Sequence, residues 1–339
     1  MTKEPLPRRS FLRLAGTLAV SGSLGPTLRG AKAQMSKVER LKAALRGERV
    51  DRVPFTCWHH FGLEKKPGEN HAEATIAFYR KCDPDLLKVM SDFPYPPPEG
   101  LEKLSQPEDW QRIEPLKNPF PEQIKALRLI AKELKGQALF VETIFHSWNV
   151  AEKLSSKKDL VQLKENDPKL FKKVLRAISE SQANHVRLAL DAGAAGVFLA
   201  VSAADEFVTD AQDYLKMGRE SDLMILDAVR DKELNILHVH GKKPHWDTLV
   251  TYPVQVINYS VHGTGLGLTG ARTKFTGTLM GGLNEEKIAT QSTDELARDI
   301  QAAVAAMQKR RFILSPGCSV PNDISPEVLL GLRELARKG

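Results

Sequence analysis

Three side chains of this sequence have the types and the spacing of a split metal site. His238 and His240 end the apolar segment ILHVHG, and Cys318 lies much later, in the segment SPGCSV. Zinc accepts imidazole nitrogen and thiolate sulfur, and catalytic zinc sites combine three protein ligands with one open position. A structural interpretation also remains open, in which the histidines are packed or hydrogen-bonded and the cysteine lies in a turn.

The elements that must position these side chains alternate between two types. After residue 35, short apolar runs alternate with longer amphipathic segments, as in a repeated β/α unit. Eight runs predict strands, at 53–58, 86–90, 138–145, 196–201, 235–240, 254–259, 277–282 and 311–317. Helices are predicted between them, including 122–135, 168–192, 210–231 and 293–309. This pattern predicts an α/β fold, a (β/α)8 TIM barrel, whose usual length is about 250 residues or more.

An open, doubly wound sheet is the competing architecture, but no Gly-rich dinucleotide turn follows the first predicted strand. In a barrel, the active site lies at the carboxyl ends of the strands. His238 and His240 end the fifth predicted strand and share a face, because side chains alternate along a strand. Cys318 follows the eighth strand. We therefore expect His238, His240 and Cys318 to bind one zinc ion at the mouth of the barrel.

Other polar side chains at the same strand ends are candidates for catalysis. Asp92 follows the second predicted strand and is either a substrate-orienting carboxylate or the cap of the turn before PYPPP. His59 follows the first strand and Tyr259 ends the sixth, and both are candidate catalytic side chains. Glu142 in the third strand is either a fourth zinc ligand or a buried, hydrogen-bonded acid.

Most of the positive charge lies in the first 33 residues. The formal net charge is +7, and residues 1–33 hold six basic side chains against one acidic one, so they contribute +5 and the remainder +2. The nearly neutral remainder argues against nucleic-acid binding. No later segment reaches the roughly 20 apolar residues of a membrane span, so we expect no membrane association once the leader is removed.

The leader itself has the pattern of an export signal. The stretch PRRSFLRLAGTLAVSGSLG places paired arginines before Phe-Leu and a mildly apolar region, and Ala31–Ala33 (AKA) forms a small-x-small cleavage pattern. It resembles a twin-arginine signal, which implies export of the folded protein to the periplasm. Translation from Met35 would instead leave the protein in the cytoplasm. Of the three cysteines, Cys57 and Cys82 are either buried apolar side chains or a disulfide in an oxidising compartment.

Over residues 36 to 338 the chain resembles the uroporphyrinogen decarboxylase superfamily. The resemblance rests on the order and spacing of RVPF, KVMSDFPYP (with Asp92), LDAGAAGVFLA, HVHG, YPVQVINYS, MGGL and SPGCSVP. It implies one TIM-barrel domain at 36–339 and two chemistries on one barrel. These are the cofactor-free decarboxylation of a tetrapyrrole and the zinc-dependent transfer of a methyl group from a corrinoid to a thiol.

The decarboxylase pattern is incomplete in this chain. In that branch, arginines after RVP bind the substrate carboxylates, whereas this chain reads RVPFTCWHHFGLEKK, with His59 and Leu63 at those positions. A polyanionic substrate would lose its bidentate partners. The Gly-His pair after the last strand is Gly317-Cys318 here, while the aspartate corresponds to Asp92.

The methyltransferase pattern implies a His-x-Cys pair and a distant cysteine as zinc ligands. His238 and Cys318 match it, and His240 stands at the position of the middle cysteine. An imidazole in place of a thiolate makes the site about one charge unit less anionic.

The function we expect from this resemblance is that of a zinc-dependent methyltransferase or demethylase acting on a small molecule, a tetrapyrrole or a methyl donor, with a corrinoid delivered by a partner protein. One alternative is a uroporphyrinogen decarboxylase, and another is an exported, non-catalytic metal- or tetrapyrrole-binding protein. A homodimer is a candidate assembly.

Overall fold

The computed structural model describes residues 34–338. The export signal expected at residues 1–33 lies outside the described residues. Within them, no helix has the length and hydropathy needed to span a membrane. The elements in chain order are α1 Lys37–Arg46, α2 Gly68–Cys82, β1 Leu86–Val89, α3 Pro107–Gln111, α4 Pro121–Leu134, β2 Leu139–Phe145, α5 Ser147–Leu154, α6 Lys157–Asn166, α7 Pro168–Asp191, β3 Val197–Val201, α8 Ala211–Met217, α9 Arg219–Asp227, β4 Ile236–Val239, α10 Trp246–Leu249, β5 Val256–Tyr259, α11 Val261–Thr264, α12 Leu268–Lys274, β6 Thr278–Leu283, α13 Thr293–Met307, β7 Phe312–Pro316 and α14 Pro326–Lys338.

The strands form one parallel sheet in sequential order from β1 to β7. The predicted strand at 53–58 is reduced to a single bridge between Phe55 and Leu314. The amide of Thr56 donates to the Leu314 carbonyl at 3.0 Å, and the amide of Asp85 donates to the Phe55 carbonyl at 2.8 Å. This segment therefore links β7 to the start of β1, at the position of an eighth strand. Pro54 has no amide hydrogen, which prevents a continuous ladder there.

Both faces of the sheet are buried, as is typical of a parallel barrel. Leu86 on β1 and Met90 directly after it face the interior, where they join Trp58 and Phe198 in one apolar cluster. The alternate side chains of β1, such as Leu87, point to the other face of the sheet and pack against the helices outside. The α/β barrel-like fold predicted from the sequence is confirmed: within residues 34–338, seven of the eight predicted strands are present, and the bridge between Phe55 and Leu314 replaces the first.

The helices begin and end close to the residues that the periodicity predicts. The long helix α7 starts at Pro168, and the side chain of Asp167 accepts a hydrogen bond from the Leu170 amide at 2.9 Å. The helix predicted at 210–231 is instead two helices, α8 and α9, which meet at Gly218. A β-carbon at Gly218 would lie 2.6 Å from the ring of Tyr214, so the close packing at this junction requires glycine.

Candidate metal centre

The structure brings His238, His240 and Cys318 together. His238 lies on β4 and His240 directly follows it, both histidines face the interior cavity, and Cys318 follows β7. Their ligand atoms all lie within 4.8 Å of one another, and Sγ of Cys318 lies 3.9 Å from Nδ1 of His240. In a tetrahedral zinc site with bonds of about 2.0–2.3 Å, neighbouring ligand atoms are roughly 3.3–3.8 Å apart. Small side-chain rotations therefore suffice to fit this donor set to zinc.

A neighbouring strand determines which nitrogen of His238 is free. The side-chain amide of Asn258 on β5 donates to the carbonyls of Met280 at 3.1 Å and Pro316 at 3.2 Å, so its oxygen faces Nδ1 of His238 at 2.6 Å. An amide oxygen only accepts, and therefore Nδ1 carries the hydrogen. Nε2 of His238 therefore keeps its lone pair and can bind a metal. Zinc-bound histidines usually donate their other ring N–H to a nearby acceptor in this way, which fixes the tautomer and the ring orientation.

Two glycines allow the chain to pass close to the site. Gly241 follows His240 with φ of +127°, and a β-carbon there would lie 2.2 Å from the carboxylate of Asp205. Gly317 precedes Cys318, and a β-carbon there would lie 2.2 Å from Cα of Ser260. Larger residues at either position would displace the backbone that carries a candidate ligand.

The charges of the three side chains favour the metal-binding form of the cysteine. Burial raises the pKa of the Cys318 thiol, but hydrogen bonds and charge interactions with His238 and His240 outweigh it and lower the pKa to about 4. The pKa of His240 is raised by its hydrogen bond to Cys318, against burial. At neutral pH the sulfur is therefore a thiolate, which is the form that nucleophiles and metal ligands use.

Two adjoining cavities lie at this end of the sheet. The metal-side cavity, of about 310 Å³, is lined by the three candidate ligands together with Trp58, Lys88 and Phe198. The Asp92 cavity, of about 290 Å³, is lined by Asp92 and several aromatic side chains. Both cavities share the four lining residues His60, Thr143, Phe145 and Lys153. A small molecule in one cavity would therefore be next to the other.

Asp92 lies at the site, whereas His59 does not reach it. The Asp92 carboxylate contacts Nδ1 of His60 at 2.6 Å and accepts from the amide of Phe61 at 2.9 Å. Burial raises its pKa, but the contact with His60 and the Phe61 amide outweigh burial and lower it. His59 packs against the rings of Phe61 and Phe78 and lines neither cavity. His60 is the histidine of this segment that faces the cavities, on the same face as Trp58 two residues before it.

Two other expected residues lie on the outer face of the sheet. Glu142 accepts hydrogen bonds from Gln123 on α4 and His185 on α7, each at 2.9 Å. It is therefore a buried acid of the helix layer and not the fourth zinc ligand, because Thr143 takes the interior position on β2. Tyr259 packs against the ring of Trp246 and lines neither cavity. The interior residue at the end of β5 is Asn258, which the sequence analysis did not select.

Comparisons with known proteins agree with this architecture. A methyltransferase from Methanosarcina mazei is similar in structure, with a TM-score of 0.72 and 16% sequence identity over 90% of this chain and 99% of that one. A B12-independent methionine synthase from Shewanella sp. W3-18-1, in complex with selenomethionine, has a TM-score of 0.61 and 9% identity over 85% of this chain and 98% of that one. At such identities the similarity shows the fold alone. No curated protein matches the chain.

The sequence model of one family covers most of the chain. This family is described as Uroporphyrinogen decarboxylase (URO-D), and its model matches residues 94–339. The match includes β2 to β7 and all three candidate metal ligands, and it begins two residues after Asp92. The chain therefore belongs to the uroporphyrinogen decarboxylase family.

Proposed function

We propose that this chain is a zinc-dependent enzyme of the methyltransferase type, with its site at the carboxyl mouth of the barrel. The observation that carries the proposal is the convergence of His238, His240 and Cys318 to within 4.8 Å. These residues would hold the metal, and three protein ligands leave one position open for a substrate. Zinc in such a site would keep a thiol in its thiolate form, the nucleophile that accepts a methyl group.

The chain's own residues support this chemistry in two ways. Asn258 holds His238 in the tautomer that presents Nε2, and the apolar walls of the metal-side cavity, including Trp58 and Phe198, limit the access of water. Next to it, Asp92 holds the Nδ1 side of His60, so that Nε2 of this imidazole is the nitrogen available to accept a proton. A thiol must lose its proton on binding, and His60 lines the cavity in which it would do so.

Decarboxylation of a tetrapyrrole is the second candidate function. It is favoured by Asp92, whose carboxylate lines a cavity as the family resemblance implies. Against it, none of the described residues that line the two cavities is an arginine, so a polyanionic substrate lacks guanidinium partners there. A third candidate, an exported non-catalytic carrier, would use the same cavities without chemistry.

Metal and chromophore analysis of the purified full chain separates these candidates. We expect about one zinc per chain, and at least a tenfold loss of zinc affinity in Cys318→Ser and in His238→Gln. In the cobalt-substituted protein, a sulfur-to-cobalt absorption band should disappear in Cys318→Ser. Full zinc retention by Cys318→Ser would show that the sulfur is not a ligand. A co-purifying tetrapyrrole in the absence of zinc would favour a carrier or a decarboxylase.

The partners and the location belong to the same proposal. A corrinoid protein would deliver the methyl group, as the family resemblance implies. The assembly proposed is a homodimer, and the molar mass from light scattering would test it. The leader at residues 1–33 would direct the folded protein to the periplasm.

A further inference from the structure

A lysine is buried inside the sheet next to the candidate metal centre. Lys88 lies on β1 between Leu86 and Met90, and only 3% of its surface is exposed. The side chain points into the interior, because its ammonium lies 4.8 Å from the ring centre of Phe198 and 5.3 Å from that of Trp58. It lines the metal-side cavity together with the three candidate ligands.

Among the described residues, no carboxylate pairs directly with this ammonium, and the main negative charge acting on it is the thiolate of Cys318 in the same cavity, which would be a metal ligand in the proposed site. The one described contact of the ammonium at hydrogen-bonding range is the thioether of Met90, and within residues 34–338 no carboxylate oxygen lies within 4.0 Å of Nζ. None of the described residues that line the metal-side cavity is an aspartate or a glutamate. Buried charges in proteins are normally paired, since transferring an unpaired one out of water costs several kcal/mol. The faces of Trp58 and Phe198 offset only part of that cost.

Several other polar groups of the cavity favour an anion as well. Lys153 stands at the rim, with its ammonium 4.2 Å from the ring centre of Phe145, and also has no carboxylate within 4.0 Å among the described residues. Thr143, Asn149 and Ser202 add hydroxyl and amide donors to the wall. Apart from the thiolate of Cys318, which the metal would take as a ligand, the cavity thus presents cations and neutral donors around a small volume.

We propose that Lys88 binds a carboxylate group of the substrate inside the metal-side cavity, with Lys153 adding positive charge at the rim. The inference rests on the proposed function only in taking this cavity as the substrate site. In the decarboxylase branch, the resemblance implies that arginines after the RVP segment bind the substrate carboxylates. The subsite proposed here differs, because its cation is a lysine in the middle of β1. A compact monocarboxylate suits it best, since one buried ammonium neutralises one charge and about 310 Å³ leaves room for a small molecule.

The protonation of Lys88 agrees with this role. Burial lowers its pKa to about 7, while the negative charges of Cys318, Glu142 and Asp92 raise it. A carboxylate placed beside Nζ would stabilise the ammonium form and raise this pKa.

Binding of propionate to the metal-free full chain tests the subsite without any activity assay. We expect calorimetry to detect propionate binding by the wild type, at least tenfold weaker binding of the neutral isostere propionamide, and at least a tenfold loss of propionate affinity in Lys88→Met. Lys132→Met, which changes an exposed lysine of α4, is the matched control and should bind propionate like the wild type. Equal binding of propionate and propionamide by the wild type would overturn the proposal, and this comparison needs no variant to fold.

The proposed function and the subsite fail in different ways. A chain that binds no zinc but binds propionate through Lys88 would contradict the metal chemistry and support the subsite. A chain that binds zinc through Cys318, and whose Lys88→Met variant keeps the wild-type propionate affinity, would contradict the subsite alone.

Discussion

Nδ1 of His238 donates a hydrogen bond to the side-chain oxygen of Asn258 at 2.6 Å. The two residues are also register partners on β4 and β5, so the contact is set by the sheet and not by a loop. The amide cannot turn over, because its nitrogen is engaged by backbone carbonyls on the far side. A rigid strand pair therefore orients one candidate ligand, which is the support a metal site needs for a fixed geometry.

Replacing Asn258 should weaken metal binding without removing a ligand. Asn258→Ala removes the acceptor that fixes the orientation and the tautomer of the His238 ring. We therefore expect the zinc affinity to fall by about 10- to 100-fold. Competition with a chromophoric chelator measures this loss. Asn166→Ala, an exposed change at the end of α6, should leave the affinity unchanged. Unaltered zinc affinity in Asn258→Ala would mean that the hydrogen bond does not orient a ligand.

Cys318 should react as a thiolate in the metal-free protein. Because its pKa is about 4, lowered by the two histidines against burial, the alkylation rate with iodoacetamide should change little between pH 6 and 8. An ordinary cysteine, with a pKa of about 8.5, would react many times faster at pH 8 than at pH 6. Mass spectrometry should locate the label on Cys318, and stoichiometric zinc should protect it. A steep rise of the rate with pH would contradict the thiolate assignment.

The buried ammonium of Lys88 should reduce the stability of the unliganded protein. The pKa of Lys88 is about 7 in the folded protein, below its ordinary value of 10.5 in an unfolded chain. Between pH 7 and pH 10.5 the unfolded chain therefore binds more protons than the folded one. The stability of the wild type should accordingly rise as the pH increases above 7. Lys88→Met removes this penalty, and we expect it to stabilise the fold at pH 6.5 by at least about 1 kcal/mol. Urea unfolding at pH 6.5 and pH 9 should show the advantage of the variant shrinking as the pH rises. A variant less stable than the wild type at both values would show that Lys88 contributes net stabilising contacts.

The segment at 53–58, which links β7 to β1, depends on the carboxylate of Asp85. Asp85 contacts Arg40 and Arg52, each at 2.6 Å, and accepts from the amide of Phe55 at 2.9 Å. Asp85→Ala leaves a buried guanidinium without this partner, and we expect a loss of about 3–5 kcal/mol in the free energy of unfolding. Asp191→Ala, at an exposed end of α7, serves as the control in the same urea titration. A loss below about 1 kcal/mol would mean that Arg40 and Arg52 find other partners.

The export proposal concerns residues 1–33 and is tested in cells. Replacing Arg8 and Arg9 by lysine should retain the protein in the cytoplasm, if the paired arginines are read by the twin-arginine route. Fractionation followed by immunoblotting measures the change. A matched change of Lys37 and Lys42 to arginine, on α1, should not affect the location. Periplasmic recovery of the Arg8→Lys, Arg9→Lys protein at the wild-type level would refute the signal.

Much of the architecture follows from local sequence patterns. Helix α7 is predicted at 168–192 and found at Pro168–Asp191, since its apolar spacing and its Asp-Pro start are local signals. The meeting of His238, His240 and Cys318 was also predictable. Two residues of equal parity at the end of one strand share a face, and parallel strands in a barrel end at the same rim.

The tertiary structure decided which residues face the cavities. Glu142 and Thr143 are neighbours, as are Tyr259 and Asn258, and only the packing of β2 and β5 determines which of each pair points inward. A shift of one residue in register exchanges the two faces of a strand, and apolar residues on both faces of a buried parallel strand conceal the choice in the sequence. The position of Lys88 was likewise not predictable, because the segment LLKVM predicts a strand but does not indicate that its lysine is buried inside the sheet. An apolar run signals burial on both faces, but which side chains of the strand face the interior is decided by how the sheet closes.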